Sequence, residues 1–433
     1  MPTPVFNRWY LVFVLTVAYV LSFIDRSILS LLVGPIRADL GITDTEVSLL
    51  HGLAFAVFYT LLGIPIATLA DTRNRRNVIA VGVAFWSLAT AACGLARDFW
   101  GLLVARIGVG VGEAALSPAA YSMIADSFPK DRLNRALSVY TLGAFAGMGL
   151  ALIIGAAVIA NVTTAEATVL PIIGAVAPWQ LVFIAVGLPG LLVALWLLTV
   201  REPPRQHVAA AQGGGLGQLR PHLARHWQAY TAHLLGFALL GMVLNSLLAW
   251  TPSHLIRNFA LTPASAGFTL GSLIVVFCTA GILTGGWLAD RWQAAGQADA
   301  PLRVGVISAA GCVVFGALAT AADTLETTRL LLAPLLFFST FAYGAAPAAL
   351  QVITPAATRA VASALYLFVL NLVGMGLGPL ITATLTDQLF ADDLAVGRSL
   401  AIVMAVSAAG AALLLGWGCR HFRRVLTLPS QLG

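Results

Sequence analysis

Runs of about twenty apolar residues recur along the whole chain between short polar breaks, each long enough to cross a bilayer as a helix. The pattern predicts twelve spans, at roughly 9–36, 46–70, 77–97, 100–126, 134–160, 178–200, 229–256, 264–289, 303–322, 328–352, 358–387 and 397–419. One break is longer than the others. Residues 201–228 carry R-E-P-P-R, then Gly213-Gly214-Gly215, then Arg220, His222, Arg225 and His226. This reads as a linker with a short surface helix from about Leu216. The expected organisation is an N-terminal six-helix bundle (1–200), the linker (201–228) and a C-terminal six-helix bundle (229–433), all-α throughout.

Composition agrees: 59% of residues are hydrophobic, 10% are charged and the mean hydropathy is +0.90. Soluble proteins carry about 25% charged residues, so the chain reads as an integral multi-pass membrane protein. The first apolar run is too long for a cleavable signal peptide. Cys93, Cys278, Cys312 and Cys419 lie in or beside apolar runs without metal-ligand spacing, and read as small core residues. A net charge of +6 raises the question of nucleic acid, but the positions of the charges argue for topology and no nucleic-acid partner. Arg8, Arg73, Arg75, Arg76, Lys130, Arg132, the linker arginines, Arg291, Arg303, Arg359, Arg420, Arg423 and Arg424 fall on one side. Arg37, Arg97, Arg257, Arg329 and Arg398 fall on the other, with most loop acids. The positive-inside rule places both termini and the linker in the cytoplasm.

The most informative stretch is Arg106 to Glu113, R-I-G-V-G-V-G-E, inside the fourth run. Charges at membrane depth are costly, face a bundle interior or a water-filled cavity, and mark functional sites. Two helical turns separate Arg106 from Glu113, so they share a stripe about 10 Å apart. Gly110 between them leaves room for a ligand or a partner side chain, and Gly108 and Gly112 suit close helix contact. Asp25 and Arg26 lie near the middle of span 1. Asp25 and Glu113 are the candidate proton carriers, with Arg26 and Arg106 as their partners or as anchors for an anionic substrate. Burial disfavours a carboxylate's charge and a nearby guanidinium favours it, so making and breaking such a pair moves a proton. The competing reading is a permanent network that only holds spans 1 and 4 together. Adjacent helix residues point about 100° apart, so Asp25 and Arg26 cannot both face a cavity squarely.

The halves repeat. L-A-D-T-R-N-R-R (Leu69 to Arg76) follows span 2, and G-G-W-L-A-D-R (Gly285 to Arg291) follows span 8. Paired six-helix repeats are the architecture of a rocking secondary transporter. In these loop motifs, and in Gly143-x-x-x-Gly147-x-Gly149 of span 5, the chain resembles the major facilitator superfamily. The first loop departs from the family pattern at Ala67, Thr72 and Asn74, and span 5 lacks the family's proline. Within the superfamily it is similar to spinster-type transporters. F-I-D-R-S-I-L-S-L-L-V-G-P-I, R-I-G-V-G-V-G-E-A-A-L-S-P, W-T-P-S-H-L-I-R-N-F and A-L-Y-L-F-V-L-N-L-V-G-M-G-L-G-P carry that likeness. The resemblance implies a proton-coupled carrier of lysophospholipid- or sphingoid-phosphate-like anions in a bacterial inner or plasma membrane. It also implies a monomer among membrane lipids.

Asp71, Arg75, Arg76, Asp126, Asp290 and Arg291 sit at cytoplasmic helix ends and read as a gate latch that breaks when that side opens. The second half carries hydroxyls, amides and aromatics instead of deep charge, with Phe341, Tyr366 and Asn371 as candidate substrate contacts. One charged wall facing one greasy wall suits an amphiphile. The alternative within transport is a symporter or facilitator of a small organic or sugar acid, with Arg106 as carboxylate clamp. An intramembrane enzyme would need a nucleophile–base pair or metal ligands at depth, and no such constellation appears. A receptor without transport fits poorly with loop signatures in both halves. No G-x-x-x-x-G-K-[ST] is present, and the glycines of span 4 lack the βαβ unit of a dinucleotide site, so no cofactor or metal is expected.

Overall fold

Helix ends follow local chemistry in this computed structural model, which describes residues 5–162, 168–170, 174–204, 216–355 and 358–427. Span 1 is the helix Val5–Leu31. The predicted run to residue 36 is interrupted at Leu32, and a separate short helix, Val33–Leu40, follows. Pro35 explains the break, because a proline ring in a continuous helix clashes with the carbonyl four residues earlier but fits a first turn.

Span 2 begins at Asp44 with a capping box, in which the Glu46 amide donates to Thr43 Oγ1 and the Thr43 amide donates to the Glu46 carboxylate. It continues through a π-helical turn, Leu49–Leu53, into Ala54–Thr72. Span 3 is Arg75–Cys93, capped by Asn74. Span 4 is capped by Asp98, runs Phe99–Glu113, then resumes as Leu116–Ser127. Span 5 is Lys130–Val162, and span 6 is Pro178–Gly187 with Pro189–Leu197.

The loop before span 6 adds a short hairpin to an almost entirely helical fold. Thr168–Leu170 pairs antiparallel with Gly174–Val176, in register Thr168 to Val176. The β-branched residues Thr168, Val169 and Val176 favour extended backbone, and a stretch this short gives no pattern above a loop background.

In the second half of the chain a helix spans Leu216–Arg225, and span 7 is Trp227–Phe259. Span 8 is Pro263–Leu273, a π-helical Ile274–Cys278, and Thr279–Ala294. Spans 9 and 10 are Ala300–Thr320, and Leu325–Thr340 with Ala345–Ile353. Span 11 is Arg359–Val369, a π-helical Leu370–Leu377, Gly378–Thr384 and a second π-helical stretch, Leu385–Phe390. Span 12, Val396–Thr427, outruns its predicted end. Among the described residues eleven helical stretches are long and apolar enough to cross a membrane. A shorter apolar one, Gly147–Val162, lies within span 5.

The chain forms two compact units. Unit 1 is Met1–Val208 with Thr251–Val275, and unit 2 is Ala209–Trp250 with Val276–Gly433. In unit 1 span 5 packs on span 1 and on the first helix of span 8. The span 5 glycines make this possible: a Cβ on Gly147 would lie 2.9 Å from Val20, and one on Gly149 would lie 2.5 Å from the Gly271 carbonyl. In unit 2 span 9 packs between spans 10 and 12.

Candidate functional site

The glycines of R-I-G-V-G-V-G-E set span 4 close to two neighbours. A Cβ on Gly112 would sit 2.7 Å from the Trp86 amide nitrogen, and one on Gly108 would sit 3.1 Å from Ala89, so both face span 3. Gly110 accommodates a partner side chain, Phe55 of span 2. This tight seam delivers Arg106 and Glu113 into the interior of unit 1, where both are buried along with Asp25.

The four deep charges separate into two pairs of unlike character. Arg26 Nε donates to Glu113 Oε2 at 2.5 Å, and Arg26 Nη2 bonds the same oxygen. The guanidinium also lies over three rings, 4.5 Å from the centroid of Phe55, 5.4 Å from Tyr59 and 5.5 Å from Phe23. Its side chain remains 20% exposed while that of Glu113 is fully buried. Arg26 is therefore the reachable cation of the set.

Arg106 is different. Its Nη1 donates to the main-chain carbonyl of Asp25 at 2.9 Å and its Nε to that of Leu50 at 3.3 Å, so it bonds backbone rather than a carboxylate. Asp25 is buried with neither carboxylate oxygen hydrogen-bonded, and Trp86 Nε1, Thr90 Oγ1 and Arg106 Nη2 are also unpartnered among the described residues. Arg106 and Glu113 both act electrostatically on Asp25. A buried carboxylate whose oxygens accept no hydrogen bond is expensive to hold in its charged form.

An aromatic cluster adjoins these charges, which sequence reasoning missed. Tyr19 stacks on Tyr140 at 4.9 Å, Tyr121 meets Tyr140 edge-on at 5.4 Å, and Phe55 stacks on Tyr59 at 5.5 Å. The signal available was helical phase: Tyr19, Phe23 and Arg26 recur at three- and four-residue spacing on span 1.

Arg75 is buried and organises the end of unit 1 that carries the first loop motif. It bonds Asp126 at 2.5 Å, Glu202 at 3.1 Å, Ser122 at 2.8 Å and the Pro203 carbonyl at 2.8 Å. Arg76 bonds Asn77 and the carbonyls of Leu198 and Val200. The Asp71 side chain lies outside the described residues. Asp290 and Arg291 are exposed at the end of span 8, with Arg291 over the Trp287 ring at 5.3 Å.

A further charge cluster went unrecognised in the sequence. Asp44 is fully buried, 3.2 Å from Arg37 and gripped by two nitrogens of Arg257 at 2.6 and 2.7 Å. As a loop acid before span 2 it gave no sign of burial; its partners were two of the few arginines on the charge-poor side.

In unit 2 Phe341 and Tyr366 belong to the buried core, and Asn371 sits half-buried in the π-helical part of span 11. His233, also missed, is buried beside Tyr366 at 5.3 Å, and its Nε2 bonds the Ala346 carbonyl at 2.8 Å. The unit 1 cavity of about 610 Å³ between spans 2, 3 and 4 is mostly apolar, with Arg73, Asn74 and Asn77 among its lining residues. None of the four deep charges lines it.

Residues 15–379 match the family profile described as Major Facilitator Superfamily. The chain superposes on a solved bacterial homologue of the human lysosomal transporter spinster, in an inward-facing and unoccupied conformation. The TM-score is 0.85 at 25% identity, covering 99% of this chain and 100% of that one. It is 28% identical over 430 residues to an MFS-type efflux pump of Mycolicibacterium smegmatis, covering 96% of this chain and 94% of that protein. It is 27% identical over 323 residues to a probable L-galactonate transporter of Escherichia coli, covering 71% and 66%.

Proposed function

The chain belongs to the Major Facilitator Superfamily, and from that premise we propose a proton-coupled secondary transporter that moves an amphiphilic anion by alternating access. Its class is transport rather than enzymatic chemistry. The moving halves are 1–200 and 229–433, joined by the linker 201–228. The membrane is a bacterial inner or plasma membrane, with both termini cytoplasmic and the protein working as a monomer. The asymmetric arginines support that orientation.

The observation that carries the reading is the Arg26–Glu113 pair. Arg26 is partly exposed, ringed by Phe23, Phe55 and Tyr59, and bound to a fully buried carboxylate. An anionic headgroup that takes Arg26 strips Glu113 of its counter-charge, and an uncompensated buried carboxylate is relieved by binding a proton. Substrate and proton are thereby coupled through one guanidinium. Asp25 is the second proton site, with Arg106 supplying fixed positive charge behind it and an anion anchor in other conformations. Phe341, Tyr366 and Asn371 serve the apolar part of the substrate, a lysophospholipid- or sphingoid-phosphate-like tail. Asp71, Arg75, Arg76, Asp126, Asp290 and Arg291 form the cytoplasmic gate, and the Asp44–Arg257 pair is its counterpart at the opposite end.

A second reading, a symporter or facilitator of a small organic or sugar acid, is favoured by the likeness to the probable L-galactonate transporter. Thermal shift of the purified protein distinguishes the two. A ligand at a hundredfold excess over Kd stabilises by about 2.7 kcal/mol. A shift with lysolipids or sphingoid phosphates and none with galactonate supports the amphiphile; the reverse result replaces it with the sugar acid.

A further inference from the structure

A second concentration of positive charge lies in unit 2, well apart in sequence from the four deep charges. The helix Leu216–Arg225 ends where span 7 begins, and the last turns of span 12 pack beside that junction. Together they enclose a pocket of about 200 Å³ whose polar lining is Arg225, His226, Gln228, His421 and Arg424. No carboxylate lines it. The nearby acid, Asp299, is engaged with Arg303 at 3.1 Å and Arg423 at 3.4 Å. His421 is buried, and its Nε2 has no hydrogen-bond partner among the described residues. Arg225 and Arg424 bring two guanidinium groups to one small hollow, and an anion's charge complements both.

The surroundings say which anion. Trp417, one helical turn inward from His421, and Trp227, beside His226, are both exposed and approach to 6.0 Å between rings. Paired exposed tryptophans mark the headgroup level of a bilayer. Beyond them Leu413, 75% exposed, and Leu235 continue the same helix faces as an apolar lane. A cationic hollow, an aromatic belt and an apolar lane in that order match the headgroup, glycerol and acyl regions of a phospholipid. The arginines lie on the side that the charge distribution marks as cytoplasmic.

We propose that the hollow formed by Arg225, His226, His421 and Arg424 is a binding site for a phosphate group, supplied by an anionic phospholipid of the cytoplasmic leaflet. The arginines hold the phosphate oxygens by charge-assisted hydrogen bonds, and the tryptophans fix the depth of the lipid.

The test is native mass spectrometry of the full chain with phosphatidylglycerol, with phosphatidylcholine, and with inorganic phosphate. The double variant Arg225→Gln/Arg424→Gln is compared with the charge-preserving Arg225→Lys/Arg424→Lys. The expected result is phosphatidylglycerol retained over phosphatidylcholine, weakened about thirtyfold by the glutamines and within about threefold of wild type for the lysines. Inorganic phosphate at equal concentration shows no comparable occupancy. Equal retention of both lipids, or equal retention by the glutamine variant, overturns the site. Phosphate binding as tight as the lipid's overturns the lipid as its source. The lysine variant keeps the fold test separate, because it retains charge where the glutamine variant does not.

Discussion

The two units solve the problem of membrane burial differently. Unit 1 buries Asp25, Arg106 and Glu113 and pairs Glu113 with a partly exposed arginine. Unit 2 fills its core with Phe341, Ala345, Tyr366 and their neighbours, and several of its hydroxyls bond backbone carbonyls. Ser339 and Thr340 donate to carbonyls of span 10 one turn earlier. Unit 1 carries charges in its buried interior; unit 2 gathers charged and titratable groups at one rim, around Arg225, His226, His421 and Arg424. A carrier that couples proton to substrate needs such a responsive set of buried charges in only one of its units.

The comparison can be broken most severely at Glu113. Glu113→Gln keeps the shape and removes the titratable group, so uptake driven by a pH gradient into proteoliposomes should fall by more than about tenfold while exchange persists, in the range of typical coupling energies. Undiminished gradient-driven uptake would move the proton to Asp25. Next, Arg26→Ala should weaken binding of the anionic ligand by roughly tenfold to a hundredfold, the loss of charged hydrogen bonds. Tyr366→Phe in unit 2 should stay within about threefold; titration calorimetry of both variants gives the contrast directly. Equal losses would erase the distinction between the units.

Packing offers a smaller contrast. Gly112→Ala drives a methyl to within 2.7 Å of Trp86 and should destabilise by about 1–3 kcal/mol. Gly286→Ala in unit 2, inside a helix and where a Cβ meets nothing within 4 Å, should leave Tm unlowered or raise it slightly. Detergent thermal melts compare them. The smallest effect is at the rim of unit 2, where its charges are gathered. Burial, with His222 and Arg225 nearby, disfavours charging His226 and lowers its pKa below the usual 6.5. Arg225→Gln should let that pKa rise towards its ordinary value, read by NMR titration of labelled histidine; no upward movement would contradict the electrostatic account of the pocket.

Much of this was legible in the chain. Apolar run length, the L-A-D loop repeat and the R-I-G-V-G-V-G-E string gave the helical architecture, the superfamily and the four deep charges, because each rests on local spacing. What sequence could not carry was partner choice in three dimensions. Nothing local says that Arg26 takes Glu113 while Arg106 turns to the carbonyls of Asp25 and Leu50, or that Asp44 is buried under an arginine more than two hundred residues away. The Tyr19–Tyr140–Tyr121 cluster joins spans 1, 4 and 5 and has no sequence signature beyond helical phase. The Thr168–Val176 hairpin was lost for the opposite reason, being too short for any periodicity to register.

The central claim is that the substrate's anion and the Glu113 carboxylate compete for Arg26, so that substrate binding brings a proton with it. Counting protons taken up per ligand bound, by calorimetry in buffers of different ionisation enthalpy, tests it most directly. The account predicts a net uptake of about one proton in the wild type and none in Glu113→Gln at the same pH. The same proton count in both proteins would contradict it.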